Sequence, residues 1–252
     1  MRIEPPAADH VPALRQLWQE AFGDEDAFLD AFFSTVFSPE RCLCVMDGGE
    51  PVAVAYWFDT ACSGTAAAYL YAVATKKCCR GRGLCRMLLE ALHRRLADLG
   101  YAGALLVPGN AELARMYEHL GYRFSASVQE IACTAGDARM MLQSICAAEY
   151  LQRRSALLPA GSAVLDGKYA EFLQTQAEFY QGKDFLLAAE LTGSSVRGIE
   201  LLGNPAAAPG ILRALDGETG VFRMPGTGRN FAMYYPLDQR ITPPVYFNLA
   251  FD

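Results

Sequence analysis

The chain has 252 residues, of which 52% are hydrophobic and 20% are charged, so it can bury a sizeable core as one large domain or as two smaller ones. Its formal net charge of −6 argues against a general surface for nucleic acid or for an anionic membrane, because both attract basic proteins. Any phosphate-binding site must therefore be local.

Several features of the sequence indicate the cytoplasm. The N-terminal sequence MRIEPPAADHVPALRQLW places prolines and acids where a secretory signal needs an apolar run. No apolar stretch of the sequence approaches the ~20 residues of a membrane-spanning helix. The eight cysteines form no C-x-x-C pair, and three histidines accompany them. We therefore expect reduced thiols and no metal site.

The chain begins with the pattern of a short edge strand, MRIEPPA, followed by two amphipathic helices. Asp9 is the predicted cap of the first helix, whose apolar residues recur at helical spacing over residues 11–22. The second helix shows the same spacing over residues 28–36. Three β-rich runs follow. The first two lie in RCLCVMDGGEPVAVAYWFDT and meet at a glycine turn, and the third, TAAAYLYAVAT, ends at Thr75.

Leucines at intervals of three and four residues after Gly83 predict a further helix, which Gly100 ends. The run AGALLVP then predicts a short buried strand, AELARMYEHLG a helix and YRFSASVQEIAC another strand.

The turn before the leucine-rich helix has the composition of an anion site. A strand that runs through a glycine turn into a helix presents free backbone N–H groups and the positive end of the helix dipole. Arg80 and Arg82 add positive charge, and Gly81 and Gly83 have no Cβ that would keep a phosphate away from the backbone. An ordinary strand-to-helix connection explains the glycines equally well, so the context must decide.

This context resembles the GNAT N-acetyltransferase superfamily, whose acyl-CoA pyrophosphate loop follows R/Q-x-x-G-x-G/A. The loop reads Arg80-Gly81-Arg82-Gly83-Leu84-Cys85, with Cys85 in place of the usual Gly or Ala. Downstream, VPGNAELARMYEHLGYRF is similar to the second signature of the family, N-x-x-A/L-x-x-x-Y-x-x-x-G-F/Y. The residues that match are Asn110, Tyr117, Gly121 and Tyr122. The resemblance covers residues 1–132.

The resemblance implies that acetyl-CoA is the co-substrate and that residues 80–85 bind its pyrophosphate. Backbone groups near Val73 and Thr75 would align the pantetheine arm, and Asn110 would hold the arm from the other side. Tyr117 would protonate the CoA thiolate as it leaves, a task for which a phenol has a suitable pKa. A simple helix cap at Asn110 and a packing role for Tyr117 remain alternatives.

The general base cannot be assigned from the sequence. Many relatives carry a carboxylate on the strand before the loop, but TAAAYLYAVAT contains none. Tyr69 and Tyr71 are candidates to line an acceptor pocket or relay a proton, although alternating aromatic residues are also typical of a strand core. The other candidates are the carboxylates of Glu50, Asp59 and Glu130, while His93 and His119 are interpreted as exposed or structural.

The composition of the sequence changes after the second signature. We therefore predict three units: a GNAT domain over 1–132, a helical connector over 133–161 and a smaller β-rich domain over 162–252. The last unit begins with a predicted helix, GKYAEFLQTQAEFYQG. Strands DFLLAAEL, SVRGIELLG, GVFRMPG, NFAMYYPL and VYFNLAF follow, with one short helix near 207–215. The fold class is therefore α/β, with a mixed α+β sheet.

The last unit also shows a faint internal repeat. Its segment IELLGNPAAAPGILRAL resembles a strand–loop–helix element, which is typical of a degenerate second GNAT repeat in tandem acetyltransferases. In tandem enzymes of the enhanced-intracellular-survival type the terminal carboxylate reaches the active site, so the resemblance adds Asp252 as a candidate base. The cluster at 226–228 is interpreted as a hairpin turn.

The expected function is direct transfer of an acetyl group from acetyl-CoA to a primary amine of a small molecule or peptide, without a metal. A non-catalytic module that binds or senses acyl-CoA is the alternative. We expect the C-terminal unit to cover the acceptor side of the cleft, and the sequence leaves the acceptor and the oligomeric state open. The aromatic residues of the C-terminal unit that are candidates to line the cleft are Tyr234, Tyr235, Tyr246 and Phe247, although their period-two placement favours a strand core for each of them.

Overall fold

The computed structural model describes residues 1–250 of the chain, and the strands and helices of the first half follow the predicted order. The elements of this half are β1 (Arg2–Glu4), α1 (Val11–Phe22), α2 (Asp26–Thr35), β2 (Cys42–Asp47), β3 (Glu50–Cys62), β4 (Thr65–Thr75), α3 (Leu84–Asp98), β5 (Gly103–Leu106), α4 (Ala111–His119) and β6 (Arg123–Thr134). Within residues 1–250 no helix combines the length and the apolar character that crossing a membrane requires.

The second half is richer in strands. Its elements are β7 (Gln143–Ser144), α5 (Ala147–Leu157), β8 (Ala163–Leu165), α6 (Gly167–Gln174), β9 (Glu178–Gln181), β10 (Phe185–Thr192), β11 (Ser195–Gly203), α7 (Ala208–Ala214), β12 (Thr219–Pro225) and β13 (Arg229–Pro236). The short helix predicted near 207–215 is confirmed as α7.

The strands form one mixed sheet, with thirteen strands in the described part of the chain. Its order is β1-β2-β3-β4-β5-β13-β6-β12-β11-β10-β9-β7, and β8 pairs with β3 outside this path. The prediction of an α/β fold with a mixed sheet is confirmed. Two neighbouring pairs are parallel, β4 with β5 and β11 with β12, and each pair is connected through a helix. The second half thus repeats the strand–helix–strand order of the first, while a tandem origin remains a prediction.

Strand pairing crosses both predicted domain boundaries. Strand β13 lies between β5 and β6, where Tyr234 pairs with Leu105 on one side and Arg123 on the other. Strand β6 also pairs with β12, so each half contributes a strand to the sheet of the other. The division at residues 132 and 161 remains a prediction, and the sheet itself does not stop at either place.

Three local predictions are wrong. Asp9 lies in a short 3-10 turn, and α1 begins after it without a side-chain cap. The helix predicted over 167–182 ends at Gln174, because the aromatic residues of Glu178–Gln181 pair with β10 as a strand. The segment VYFNLAF forms no strand among its described residues, of which 246–250 are buried. The connector predicted over 133–161 contains the helix α5, and its role as a connector remains a prediction.

A buried polar network attaches this C-terminal segment to α5 and β11. The guanidinium of Arg154 donates two hydrogen bonds to the Glu200 carboxylate, at 2.7 and 2.9 Å, and both side chains are at most 1% exposed. The hydroxyls of Tyr150 and Tyr246 donate to the same carboxylate at 2.8 and 2.9 Å. Asn248 donates to the Tyr246 hydroxyl at 3.1 Å. Because each buried charge is paired and hydrogen-bonded, the network holds the three elements in one arrangement.

A buried histidine makes the stability depend on pH. His93 is 7% exposed, its Nε2 lies 2.7 Å from the Tyr122 hydroxyl oxygen, and its ring stacks on Tyr235 at 3.9 Å. Burial lowers the pKa of His93 to about 4 from 6.5. Between these two values the unfolded chain binds more protons than the folded one, so the folded state loses stability as pH falls.

We expect the free energy of unfolding to fall by about 2 kcal/mol more between pH 7 and pH 5 in the wild type than in a His93→Gln variant. Glutamine keeps a hydrogen-bonding group beside Tyr122 but does not titrate. Urea unfolding at both pH values measures the difference. Equal pH dependence in the two proteins would show that His93 is not the responsible group.

Candidate active site

The candidate site begins where β4 and β5 separate. These strands pair only at Ala68 with Ala104 and at Tyr69 with Leu105. A β-bulge follows in β4, where Ala72 has a φ of 47°. Bulges bend the strand that carries them. The C-terminal end of β4 therefore diverges from β5 and leaves one of its backbone edges open.

A cleft of ≈ 800 Å³ occupies this opening, lined by the end of β4, the loop before α3 and the helix α4. Tyr117 lines it together with eight of the nine predicted cofactor-binding residues: Val73, Thr75, Arg80, Gly81, Gly83, Leu84, Cys85 and Asn110. The exception is Arg82, whose guanidinium lies 3.8 Å from the sulfur of Cys79. The structure thus brings the two sequence signatures together, and the roles of their residues remain predictions.

The loop before α3 offers an uninterrupted set of donors to this cleft. The backbone N–H groups of residues 81–86 have no hydrogen-bond acceptor within residues 1–250. Gly81 and Gly83 both have φ near 75°, a left-handed conformation that glycine adopts without strain. The loop is attached to the strand by Arg80, whose Nε donates to the Thr75 carbonyl at 3.0 Å. Free amides at the N-terminus of a fifteen-residue helix fit a pyrophosphate.

The two residues of the second signature occupy different positions in this cleft. Asn110 caps α4 by accepting a hydrogen bond from the Leu113 amide at 2.9 Å, which is the capping role weighed as the alternative. Tyr117 is 6% exposed, and its hydroxyl has no hydrogen-bond partner among the described residues. Burial, followed by the nearby Cys85, raises the pKa of Tyr117. The phenol is therefore protonated at neutral pH and able to donate.

A second cavity of ≈ 670 Å³ meets the cleft at Tyr117. Phe22, Val73 and Leu113 line both spaces with it. One wall of the second cavity is aromatic and comes from α1, α2 and β4: Trp18, Phe22, Phe28, Tyr69 and Tyr71. Residues of the C-terminal half close the other side: Gln176, Glu190, Leu191, Thr192 and Arg197.

Two carboxylates line this second cavity, and sequence reasoning missed both. Oδ2 of Asp24 accepts a hydrogen bond from the buried Trp18 indole at 2.7 Å, and its Oδ1 has no partner among the described residues. Glu190 forms an ion pair with Arg197 at 3.2 Å. One indication of Asp24 was present in the sequence, namely that it is a polar residue in the short connection between two amphipathic helices.

Of the carboxylates considered from the sequence, Glu50, Asp59 and Glu130 line neither cavity. Asp59 accepts hydrogen bonds from Arg41 and Tyr101, and Glu130 is paired with two arginines of the C-terminal half. Glu50 is exposed at the β2–β3 turn. Asp252 lies outside the described residues.

The aromatic residues expected from the C-terminal half lie elsewhere in the structure. Tyr234 donates to the Ala102 carbonyl at 3.2 Å within the sheet, and Tyr235 stacks on His93. Tyr246 belongs to the buried network, while Phe247 packs on Tyr69 at 4.7 Å. All four serve the core, so their assignment to the cavity wall is wrong, because period-two aromatic residues fit a buried strand equally well.

Comparison with known proteins identifies a family for the first half of the chain and similar folds for most of it. Residues 2–125 match the family described as Acetyltransferase (GNAT) domain. The fold is similar to GCN5-related N-acetyltransferases from Kribbella flavida (20% identity, TM-score 0.70, 94% of this chain and 72% of that one) and Anabaena variabilis (11%, 0.74, 94% and 73%). It is also similar to Eis1 from Mycobacterium abscessus (12%, 0.66, 94% and 74%). The sequence matches no protein of curated function.

Proposed function

Because residues 2–125 of this chain are a GNAT acetyltransferase domain, we propose that the protein transfers the acetyl group of acetyl-CoA to a primary amine. The observation that carries the proposal is the meeting of two cavities at Tyr117. The cleft offers free amides to a pyrophosphate, and the second cavity, which has one aromatic wall, leaves room for an acceptor. Two bound reactants would therefore face each other at one phenol.

The cofactor side follows from the loop and the open strand edge. The free N–H groups of residues 81–86 and the dipole of α3 would hold the pyrophosphate. The backbone of Val73 and Thr75 would align the pantetheine arm as an added strand. A pantetheine arm bound in this way would bring the thioester toward Tyr117, which lines the same cleft.

The acceptor side supplies the amine. An acceptor bound as an ammonium ion would first lose one proton to water in the cavity. The neutral amine would then attack the thioester carbonyl carbon, so that a C–N bond forms and the C–S bond breaks. The hydroxyl of Tyr117 would give its proton to the departing sulfur, the new amide nitrogen would lose its extra proton to water, and water would return a proton to the Tyr117 phenolate. Glu190 is paired with Arg197, which lines the same cavity, so Asp24 is the carboxylate that would attract a cationic amine. One oxygen of Asp24 accepts from Trp18 and the other is available to the acceptor. Residues of the C-terminal half would then take part in the choice of acceptor.

The Tyr117→Phe variant tests this assignment. We expect its kcat to fall by about 10²–10⁴-fold, the range of general acid catalysis, because phenylalanine cannot donate a proton. The affinity for CoA should change little, since the hydroxyl has no structural partner. Release of free CoA thiol with a panel of amines measures kcat, and calorimetry measures affinity. Tyr101→Phe is the matched control, because Tyr101 hydrogen-bonds to Asp59 and lines neither cavity.

Unchanged kcat in Tyr117→Phe would remove Tyr117 as the acid. A wild-type protein that binds CoA but releases no thiol with any amine would instead support the alternative function, a non-catalytic acyl-CoA sensor.

A further inference from the structure

Two adjacent cysteines lie before the loop and have no part in the proposed transfer. Cys78 and Cys79 belong to the 3-10 turn Lys77–Cys79 that follows β4, and their sulfurs are 3.7 Å apart. Cys78 is exposed, whereas Cys79 is 7% exposed and lines the cleft. Another sulfur pair, Cys42 and Cys44 at 4.0 Å, is fully buried. A dissolved reagent therefore reaches the first pair and not the second.

The distance between the two sulfurs suits one bridging atom better than a direct bond. A disulfide needs sulfurs about 2.05 Å apart and Cα atoms roughly 4.4–6.8 Å apart. The Cα atoms of adjacent residues are about 3.8 Å apart across a trans peptide, so a disulfide at this place is strained. An atom bonded to both sulfurs at about 2.3 Å holds them about 3.3–3.8 Å apart for bond angles between about 90° and 109°. The observed 3.7 Å lies within this range.

The number of bonds that the bridging atom must form distinguishes trivalent arsenic from zinc. Trivalent arsenic that carries one organic group needs two more bonds, which two thiolates complete. Structural zinc needs four ligands, and residues 1–250 contain no group of three or more His, Cys, Asp or Glu side chains placed to hold a metal ion. We propose that Cys78 and Cys79 form a binding site for trivalent arsenicals and that its occupation excludes CoA.

The bond changes are balanced without an oxidant. With phenylarsine oxide, two S–As bonds form and the arsenic–oxygen bond breaks. The oxygen leaves as water with the two thiol protons, and arsenic stays trivalent.

Exclusion of CoA follows from the position of the turn and rests on the proposed cofactor site. The turn supports the loop through the Arg80 amide, which donates to the Lys77 carbonyl at 3.3 Å. The Arg82 guanidinium lies 3.8 Å from the Cys79 sulfur. Cys79 lines the cleft beside the loop residues proposed to bind pyrophosphate, so a phenylarsenic group bonded to its sulfur would occupy the loop side of the cleft and compete with CoA.

Intact-protein mass spectrometry with one equivalent of phenylarsine oxide tests the site. We expect one adduct per wild-type chain, which a dithiol removes and a monothiol does not. Cys78→Ser, at an exposed position, should weaken binding by about 100-fold or more, because the second bond forms within the molecule at high effective concentration. Cys146→Ser removes another exposed thiol and should leave the adduct unchanged.

Cys85→Ser should also leave the adduct unchanged, since Cys85 is outside the proposed pair. An unmodified wild type, an adduct that persists in Cys78→Ser, or one that disappears in Cys85→Ser would each overturn the assignment.

Protection by saturating CoA tests the competition separately. We expect CoA to prevent the adduct and the adduct to abolish CoA binding in calorimetry. Simultaneous binding of both would overturn the competition and leave the dithiol site in place. If the untreated protein binds no CoA, the proposed cofactor site and the competition both fail, while the adduct still supports the dithiol site.

Discussion

A chain that ends at Ala160 is expected not to fold, although it contains the whole segment that matches the acetyltransferase family. Removing residues 161–252 takes away β13, which pairs with β5 and β6 on its two edges. It also removes β12, the second partner of β6. Strand β5 then loses its backbone partner on one edge and β6 on both edges, and unpaired buried N–H and C=O groups are costly.

The same truncation opens the apolar core. The α6 residues Tyr169 and Phe172 are fully buried, and their rings contact Phe58 and Phe32 of the first half at 4.4 and 5.6 Å. Loss of one large core side chain typically costs about 3–5 kcal/mol, and a domain is stable by about 5–15 kcal/mol in total. The loss of several together exceeds that margin.

Circular dichroism and urea unfolding of the fragment measure the outcome. We expect no cooperative transition in residues 1–160 alone and recovery of one when residues 161–252 are produced in the same cell as a separate chain. A fragment that unfolds cooperatively and binds CoA would show that the sheet of the first half is complete by itself, as the predicted division into domains requires.

The Gly83→Glu variant is expected to lose at least about 100-fold in affinity for CoA. Gly83 is the N-cap of α3 with a φ of 75°, and no atom would contact a Cβ at this position. A side chain there pays the strain of left-handed backbone, about 1–2 kcal/mol. The added carboxylate also places a negative charge among the free amides that would bind pyrophosphate.

Gly100 provides a matched control for this variant. It follows the other end of the same helix, has a φ of 85° and likewise leaves open space for a Cβ. Gly100→Glu therefore carries a similar backbone strain far from the cleft and should keep wild-type affinity for CoA in calorimetry. Equal affinities in the two variants would remove the loop from the cofactor site.

Local features of the site were predictable from the sequence. The turn at Gly81 and Gly83, the helix after it and the cap at Asn110 depend on backbone conformation, spacing and capping within a few residues. Those are properties that a short stretch of sequence carries by itself. The placement of both signatures along one cleft was predictable because they resemble the two signature motifs of a known family.

The acceptor side was decided by tertiary structure alone. Asp24 and Glu190 are 166 residues apart in the numbering, and only packing of α1, α2 and β10 places both on one cavity. In the same way, no local feature of the β13 sequence indicates that this strand pairs with β5 and β6 of the first half and not with strands of the second half. Alternating side chains determine which face of a strand is buried, but they do not determine which strand lies beside it. Backbone hydrogen bonds are the same for every partner, so the exchange of β6 and β13 between the two halves arises from long-range packing.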